Sequence, residues 1–438
     1  MNVVFQYEGN QPQLRQFVLR IPKTTLESSA DDVLMPQETF RQFMNRSSRP
    51  PAPPAQVVES IRSHKLFPID PELFHKNIVR PLIHKNYSLE LHSISVGKSL
   101  LKALDEQLQQ HPRRKRRGSI VSSRSAKDQV AYLVTDATRM IKPHLERLPQ
   151  HSVKCVGSPL CVEIKPKCGA LGTSRDIMRS RIHHPIQSTI SRFEMHQYWK
   201  WKKGKVLSMS SFKPQQFFGR NFSSIRSSIR ALCETPQNNL NVIVPSFGKN
   251  SDIMSAIEES GCFPCSGNSQ EDNFASTLAR VFAEEPLLSL ILHIQEEAPG
   301  ELQALEALTE LIRYAYEKEK ILTEGSDTNH LYREAAAAAK LVHISRFATM
   351  ATLLRGFLIG KCFKDCSLML NIQRVETRTL QDRKLSCKHG IGYIPEGDGE
   401  HGWFYTLSVA DADPRDLHCI PYYEFMEREI LNTYLGED

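Results

Sequence analysis

The chain has 438 residues, a length that allows two or three domains, and 40% of them are hydrophobic, enough for a sizeable core. Lys and Arg number 56 against 49 Asp and Glu, so the formal net charge of +7 favours an anionic partner without naming one. The ten cysteines follow no spaced framework and the first residues lack the features of a signal peptide, so we expect a reducing compartment. The longest strongly apolar run, Leu287 to Ile294, is too short for a bilayer, so no membrane segment is predicted.

Alternating hydrophobic residues at the start of the chain predict an opening hairpin of two strands, Asn2 to Gln6 and Gln16 to Ile21. Two further strands are expected at Tyr87 to Val96 and at Val130 to Val134. We place a break between two domains at about residues 140 to 155. The prediction is therefore a first domain at 1–150 and a second at 151–438.

A basic segment at residues 111–125 contains R-R-K-R-R at Arg113 to Arg117, followed by serines. Consecutive positive charges repel one another, so we predict an exposed insertion. It fits a nuclear-import or polyanion-binding patch, and it equally fits a solvated loop. Ser119 is a candidate for phosphorylation, which would cancel part of the charge. Nucleic-acid binding is the least favoured function, because stacking aromatic residues and a recognised binding motif are absent from the sequence.

The sequence C-V-E-I-K-P-K-C-G, Cys161 to Gly169, places two lysines and a glutamate on one predicted strand. In an extended segment alternate side chains share a face, so Glu163, Lys165 and Lys167 would point the same way. That arrangement suits a phosphate group. A half-exposed strand with solvated lysines is the alternative.

Two further motifs carry polar side chains at regular spacing. In S-R-F-E-M-H-Q-Y-W-K, Arg192, His196 and Lys200 recur every four residues, which places them on one face of a helix. Further along, T-P-Q-N-N-L combines a helix stop with two amides, Asn238 and Asn239. Taken alone, the histidine would more often belong to a core, and the amides would cap a turn.

The remainder of the second domain is predicted to be mostly helical before it returns to strands. Helices are expected at Ile225 to Cys233, Glu301 to Leu322 and Arg333 to Leu358, with irregular structure from Ser246 to Asn273. The last helix leads to Lys364 and Asp365, and a buried strand follows at Ser367 to Ile372. A hairpin turn at Gly397 to Gly402 then enters a strand at Trp403 to Val409.

The order of these motifs is specific. E-I-K-P-K-C-G, then T-S-R at Thr173 to Arg175, then S-R-F-x-M-H-Q, T-P-Q-N-N and K-D-C-S-L-M resemble the inositol-pentakisphosphate 2-kinase family in sequence, order and rough spacing. The resemblance covers most of the chain. It implies an α+β fold with two lobes, distantly similar to protein kinases: a small N-terminal lobe on the nucleotide side, and a larger C-terminal lobe on the side of the inositol phosphate and the metal.

The same resemblance implies phosphoryl transfer from ATP, with Mg²⁺, to the axial 2-hydroxyl of inositol 1,3,4,5,6-pentakisphosphate, which gives inositol hexakisphosphate (phytate). The catalytic residues implied are Asp365, as the base, and Lys165. The substrate-binding residues implied are Lys167, His196, Lys200, Asn238, Asn239, Arg415 and Tyr422, and the nucleotide-binding residues are Arg20, Asp136 and Glu163. Arg192 is expected to be structural.

Three departures from the family pattern support an alternative, an inositol-polyphosphate-binding scaffold or sensor of the same family. The glycine-rich G-E-G-x-x-N turn would precede Asn2, and the arginine after the paired asparagines is Asn241. The closing D-L-x-L-K-P reads V-A-D-A-D-P, so Val409 stands at the metal aspartate and Asp413 at the lysine. By strand alternation Asp411 would share the face of Val409, and it is our candidate metal ligand.

The remaining expectations concern cysteines, partners and location. Cys262-x-x-Cys265 is half of a possible zinc site, and a structural turn is the favoured interpretation. We expect a monomer whose partner is the small-molecule substrate, with no membrane partner, located in the nucleus and the cytoplasm.

Overall fold

The computed structural model describes residues 2–6, 16–22, 70–110, 129–140, 153–172, 183–245, 248–249, 252–263, 269–311, 349–377, 389–397, 399–415 and 419–437. These residues form a mixed structure of helices and two antiparallel sheets. The predicted α+β class is confirmed. Within this described part of the chain, no helix is both long and apolar enough to cross a membrane.

The first sheet contains four strands in the order β1-β2-β4-β3. They are β1 (Asn2–Gln6), β2 (Phe17–Pro22), β3 (Leu91–Val96) and β4 (Gln129–Thr135). β1 and β2 pair antiparallel, with Gln6 opposite Val18, so the predicted pair of opening strands is confirmed. β3 begins four residues later than predicted, because residues 84–90 form a turn and an isolated bridge before it.

The second sheet has six strands in the order β7-β6-β5-β8-β10-β9, and all neighbours are antiparallel. The strands are β5 (Val153–Ile164), β6 (Leu240–Val244), β7 (Gly248–Lys249), β8 (Ser367–Thr377), β9 (Ile391–Pro395) and β10 (His401–Ala410). The predicted buried strand after Asp365 and the predicted hairpin into Trp403 are both confirmed.

Helices cover the sheets. α1 (71–83) contains a π-helical turn, His75–Val79. The others are α2 (Lys98–Gln110), α3 (Arg192–Lys202), α4 (Pro214–Phe217), α5 (Phe222–Glu234), α6 (Ile253–Ser260), α7 (Gln270–Glu284), α8 (Leu287–Glu297), α9 (301–311), α10 (349–364) and α11 (Ile420–Leu435). The predicted helices at Glu301 to Leu322 and Arg333 to Leu358 are observed over 301–311 and 349–358, and the rest of both lies outside the described residues.

The prediction of irregular structure from Ser246 to Asn273 was wrong, because α6 and the start of α7 lie there. Both helices begin at a side chain that accepts a backbone N–H bond, Asp252 for α6 and Ser269 for α7. Gly261 ends α6 in the left-handed conformation. These capping residues were a sequence signal that hydrophobic periodicity alone did not detect.

The largest core lies against the second sheet. Fully buried side chains of β5 and β8, such as Leu160 and Ile372, pack with others from α5 and α7, such as Ile229 and Phe282. Burying each such side chain contributes about 1.5–3 kcal/mol. Glu285, also buried, accepts hydrogen bonds from Tyr87 and from Tyr405, the latter at 3.0 Å, and so its polar atoms are satisfied.

Four neighbouring strands of the second sheet begin or end at one edge. β6 begins at Leu240 and β5 ends at Ile164, and these two residues are paired. β8 begins at Ser367 opposite Ala410, where β10 ends. Because the strands are antiparallel, this edge collects alternate strand ends and strand starts. We call it the site edge, since most of the predicted site residues lie within a few residues of it.

Several contacts connect the first part of the chain to the strands behind the site edge. The Val409 backbone donates to the carbonyl of Tyr87 at 2.7 Å. The carbonyl of Ala137, which follows β4, accepts from Asn371 Nδ2 at 3.0 Å and from the Cys161 thiol at 3.6 Å. The division at residue 150 and the two-lobed arrangement stay predictions.

Candidate functional site

The lysine-rich motif is a turn at the site edge rather than a continuous strand. β5 ends at Ile164, and the Lys165 backbone donates to the carbonyl of Asn239. Pro166 has no N–H to continue the ladder, and Lys167 adopts a left-handed φ of 62°. The prediction that Glu163, Lys165 and Lys167 share one strand face was therefore wrong beyond Ile164.

Lys167 lies in the turn with its side chain partly buried. Burial lowers the pKa of its ammonium group, and the negative charge of Asp365 offsets part of that effect. The Lys167 ammonium group and the Asp365 carboxylate therefore interact electrostatically at the site edge. The turn brings together a cation and a carboxylate that are about 200 residues apart in the chain.

α3 presents the predicted row of basic residues. Ser191 caps the helix by accepting from the Glu194 backbone at 3.2 Å, and the Glu194 carboxylate in return accepts from the Ser191 backbone, which completes a capping box. Arg192 donates from Nε to Glu427 at 2.6 Å, so it ties α3 to α11. That ion pair fits the expected structural role of Arg192. His196 and Lys200 follow on the same face.

The surroundings of His196 determine the charge that this predicted substrate-binding residue carries. Burial, and after it the charges of Arg192 and Lys200, lower the pKa of His196 to about 3. Its imidazole is therefore neutral at physiological pH, and it offers one N–H donor and one acceptor. Burial also lowers the pKa of Lys200, with Arg192 and Lys205 adding to the effect.

The paired asparagines precede β6 at the site edge, and they differ in exposure. Asn238 is exposed, whereas Asn239 is only 1% exposed. Neither the Nδ2 nor the Oδ1 atom of Asn239 has a hydrogen-bond partner among the described residues. A buried amide without a partner is costly, so this side chain is suited to a polar ligand.

Asp365 lies between α10 and β8, as predicted, and its side chain is 50% exposed. Arg415 Nη2 lies 3.7 Å from Asp365 Oδ2. Burial raises the pKa of this carboxyl, but the charges of Lys361, Arg415 and Lys167 outweigh burial, so the pKa lies below its ordinary value. Asp365 is therefore an ionised carboxylate that solvent can reach, surrounded by cations.

Two more carboxylates meet at the first residue of β8. The Ser367 hydroxyl lies 2.9 Å from Glu163 Oε1 and 3.3 Å from Asp411 Oδ2, and it has one proton to donate to them. Asn241 donates to the other oxygen of Glu163 at 2.9 Å, and Lys165 Nζ lies 3.8 Å from Oε1. This cluster brings two carboxylates together at Ser367, two residues after Asp365 in the chain. Within the described residues, no group of three or more His, Cys, Asp and Glu side chains could hold a metal ion.

The reasoning by strand alternation for Asp411 was wrong. β10 ends at Ala410, and Asp411 has a left-handed φ of 59°, so its direction is set by a turn. Val409, which the resemblance places at the metal aspartate, is fully buried. Asp411 nevertheless reaches Ser367 because the turn directs its half-exposed side chain toward the start of β8.

Arg20 and Asp413 form a paired contact that the sequence did not predict. Arg20 Nη1 donates to Asp413 Oδ1 at 2.8 Å, and Nη2 donates to Oδ2. Arg20 Nη2 also lies 4.0 Å from Asp411 Oδ1. The buried ring of His75 lies 4.0 Å from the same Asp413. The Asp413 carboxylate therefore joins β2 to the segment that carries Asp411.

Two other predicted site residues, Asp136 and Tyr422, have different surroundings. Asp136 is buried at the end of β4, and its Oδ1 accepts from the Thr138 backbone at 3.0 Å and from the Thr138 hydroxyl. Its other oxygen lies 3.2 Å from Arg139 Nε. Tyr422 lies on α11 and is 41% exposed.

Some predicted features lie outside the described residues: the basic segment 111–125, Thr173 to Arg175, residues 141–152 of the break expected at about 140 to 155, and Cys265. Cys262 is buried, and its thiol donates to the carbonyl of Ser158 at 2.8 Å. Sequence reasoning missed Ser367 as the connection between two carboxylates, although it stands in the K-D-C-S motif. It also missed Gln295, a buried amide that no motif marks.

Basic groups around an ionised carboxylate are typical of enzymes that act on phosphorylated substrates. A family model, described as inositol-pentakisphosphate 2-kinase, matches residues 1–429. The chain belongs to the inositol-pentakisphosphate 2-kinase family, a kinase family of inositol phosphate metabolism.

Similar proteins carry the same name. The inositol-pentakisphosphate 2-kinase of Arabidopsis thaliana is 24% identical over 454 residues, which cover 99% of this chain and 91% of that protein. The enzyme of Oryza sativa subsp. indica is 22% identical, over 63% of this chain and 60% of its own length. The enzyme of Danio rerio is 27% identical, over 43% of this chain and 35% of its own length. The resemblance expected from the motifs is confirmed.

Proposed function

We propose that this protein transfers the γ-phosphoryl group of ATP to the 2-hydroxyl of inositol 1,3,4,5,6-pentakisphosphate and so forms inositol hexakisphosphate. The observation that carries the proposal is the solvent-accessible, ionised carboxylate of Asp365 among the cations Lys167 and Arg415. Phosphoryl transfer to a hydroxyl needs a carboxylate that can accept the proton, and positive groups that neutralise the phosphates.

The substrate would be held by two kinds of group. Lys167, Lys200 and Arg415 supply positive charge, and charge-assisted hydrogen bonds to phosphate are about twice as strong as neutral ones. The neutral donors would be His196 and the Asn239 amide. Asn238 and Tyr422 are exposed and would contact the ligand at the rim of the site.

The donor set of Glu163 and Asp411 fits a magnesium ion. Mg²⁺ is usually held in kinase sites by one or two carboxylates together with substrate phosphates, and it requires oxygen ligands. These two carboxylates converge on Ser367 and supply such oxygens. When bound, the ion would neutralise charge on the β- and γ-phosphates of ATP. Glu163, expected from the sequence to contact the nucleotide, is here proposed to hold the ion instead. Arg20 and Asp136 stay proposed nucleotide contacts, and Arg20 would have to exchange Asp413 for the nucleotide.

In the proposed reaction, Asp365 accepts the proton of the 2-hydroxyl while that oxygen attacks the γ-phosphorus of ATP. The bond from the γ-phosphorus to the bridging oxygen breaks, and ADP leaves with the electron pair. Lys165 and Lys167 would stabilise the charge of the phosphoryl group in transfer. Asp365 then releases its proton to solvent, which its half-exposed position allows.

Replacing the proposed base tests the function. Asp365→Asn keeps the size of the side chain but cannot accept the proton, so we expect the rate of transfer to fall by about 10²–10⁴ while the ligand still binds. The rate is measured with ATP labelled on the γ-phosphate, and NMR identifies the phosphorylated position of the product. Asp252→Asn is the matched control, because Asn also caps α6. An Asp365→Asn variant as active as wild type would refute the mechanism.

The binding-only alternative predicts calorimetric binding of inositol pentakisphosphate without any transfer. The names of the similar proteins favour turnover instead. In either case the affinity for inositol pentakisphosphate is expected to fall as salt rises, because exposed charges are screened.

Deleting residues 113–125 should leave the affinity for inositol pentakisphosphate within a few fold of wild type. The location of the same deletion variant in cells tests whether the basic segment directs the protein to the nucleus. The monomeric state is likewise proposed, and light scattering measures it.

A further inference from the structure

Gln295 on α8 joins the two segments that carry Lys167 and Asp365. Its side chain is 2% exposed. Nε2 donates to the carbonyl of Lys167 at 2.9 Å and to the carbonyl of Phe363 at 3.1 Å. Oε1 accepts from the Gly169 backbone at 2.8 Å. Both of its donors and one of its acceptor positions are thus used on backbone groups of these two segments.

The first of these segments is the lysine-rich turn, which needs external support. A left-handed φ is unfavourable for a residue with a Cβ atom, and Lys167 has one. Gly169 packs so closely on the ring of Phe218 that a Cβ atom there would overlap it. Gln295 bonds to the carbonyl of this strained residue and to the backbone N–H of Gly169, two residues later, and therefore holds the turn in its observed shape.

The second segment is the end of α10. The last carbonyls of a helix have no partner within it, and Phe363 is one of them. Phe363 lies two residues before Asp365. α10 approaches the end of α8 closely, because Gly360 faces Ala298 without room for a Cβ atom. This close approach brings the Phe363 carbonyl within reach of Gln295.

We propose that Gln295 is a positioning residue, whose single amide sets the distance between the phosphate-binding turn at Lys167 and the base Asp365. The inference rests on the proposed function and deepens it. Lys167 would contact the transferred phosphate and Asp365 the attacking hydroxyl. Their separation therefore fixes how well the two reactants are aligned, and a displacement of 1 Å costs about 10²-fold in rate.

Two variants separate the parts of this role. Gln295→Leu removes all three hydrogen bonds. Gln295→Glu keeps the acceptor for Gly169 but, as a carboxylate, cannot donate to the two carbonyls. For both we expect kcat to fall by about tenfold or more, and KM for inositol pentakisphosphate to rise by less than kcat falls, since Lys200 and Asn239 still hold the substrate when Lys167 shifts.

Gln373→Leu is the matched control. Gln373 is also buried, and its Nε2, with two protons to donate, lies within hydrogen-bond distance of the carbonyls of Val156, Gly157 and Arg374, which lie away from the site edge. The Gln373→Leu variant should lower the melting temperature as much as Gln295→Leu does, and its kcat should stay within about twofold of the wild-type value. If the Gln295 variants lose stability but keep the kcat of this control, the positioning role is wrong.

Hydrogen exchange provides a readout that does not depend on turnover. In Gln295→Glu, the backbone amides of residues 167–169 and of residues 364–366 should exchange faster together, by about tenfold, and those near Gln373 should not. Faster exchange in only one of the two segments would overturn the proposal. A wild type without transfer activity would refute the proposed function alone, and the exchange result would still decide whether Gln295 couples the segments.

Discussion

The contact between Arg20 and Asp413 is expected to stabilise the joined sheets strongly. The Arg20 side chain is 13% exposed and the Asp413 side chain 22%, and two parallel hydrogen bonds connect them. Asp413→Ala removes two hydrogen bonds from a mostly buried guanidinium, which should cost about 3 kcal/mol. Arg20→Ala should cost a similar amount, because it removes the two donors that bond the partly buried Asp413 carboxylate.

A double-mutant cycle measures the interaction itself. If the two residues act through each other, the double variant should be about 2 kcal/mol more stable than the sum of the single effects predicts. Urea denaturation followed by tryptophan fluorescence gives each free energy of unfolding. Lys154 and Glu376 form the control cycle: they lie 3.2 Å apart but Lys154 is 65% exposed, so their coupling should stay below about 0.5 kcal/mol. Equal coupling in both cycles would refute the argument from burial.

Three other predictions concern the site and its support. The pKa of His196 is lowered to about 3, so the unfolded chain binds more protons between pH 3 and pH 6.5. The free energy of unfolding of the wild type should then fall as pH drops from 6.5 toward 4, and the fall should be smaller in His196→Gln. An equal shift of the urea midpoint with pH in the two proteins would contradict this. Tyr405→Phe removes a hydrogen bond to the buried Glu285 and should cost about 1–3 kcal/mol in thermal unfolding, whereas Tyr422→Phe, on an exposed side chain, should cost almost nothing. Asp411→Ala should weaken magnesium-dependent ATP binding in calorimetry, and an affinity equal to that of wild type would exclude it as a ligand.

Local patterns predicted those parts of the site that one element determines alone. The spacing of Arg192, His196 and Lys200 predicted their helix correctly, because the Ser191 cap and the helical period are both local. The junction at Asp365 was predicted for the same reason, since a helix pattern there gives way to a short apolar run. Each of these signals is contained in a stretch of about ten residues.

The errors arose where the backbone leaves a regular element. Alternation was extended past Ile164 to Lys167 and past Val409 to Asp411, yet both residues have positive φ values. Neither is a glycine, so the residue types at these positions did not indicate a left-handed turn. Contacts across the chain were also out of reach: Arg20 and Asp413 are 393 positions apart, and Gln295 lies 126 from Gly169. Such pairs are determined by the packing of whole elements.

The antiparallel order of the second sheet explains why distant motifs form one site. β6 and β8 begin at the site edge and β5 and β10 end there, so residues just before two strands meet residues just after the other two. Asn239 and Asp365 come just before β6 and β8, and Lys165 and Asp411 come just after β5 and β10. Because the turns after β5 and β10 are free of the strand ladder, they can change direction without disturbing the sheet. A buried valine at position 409 is therefore compatible with a carboxylate at the same edge, since Asp411, in the turn, reaches Ser367 instead.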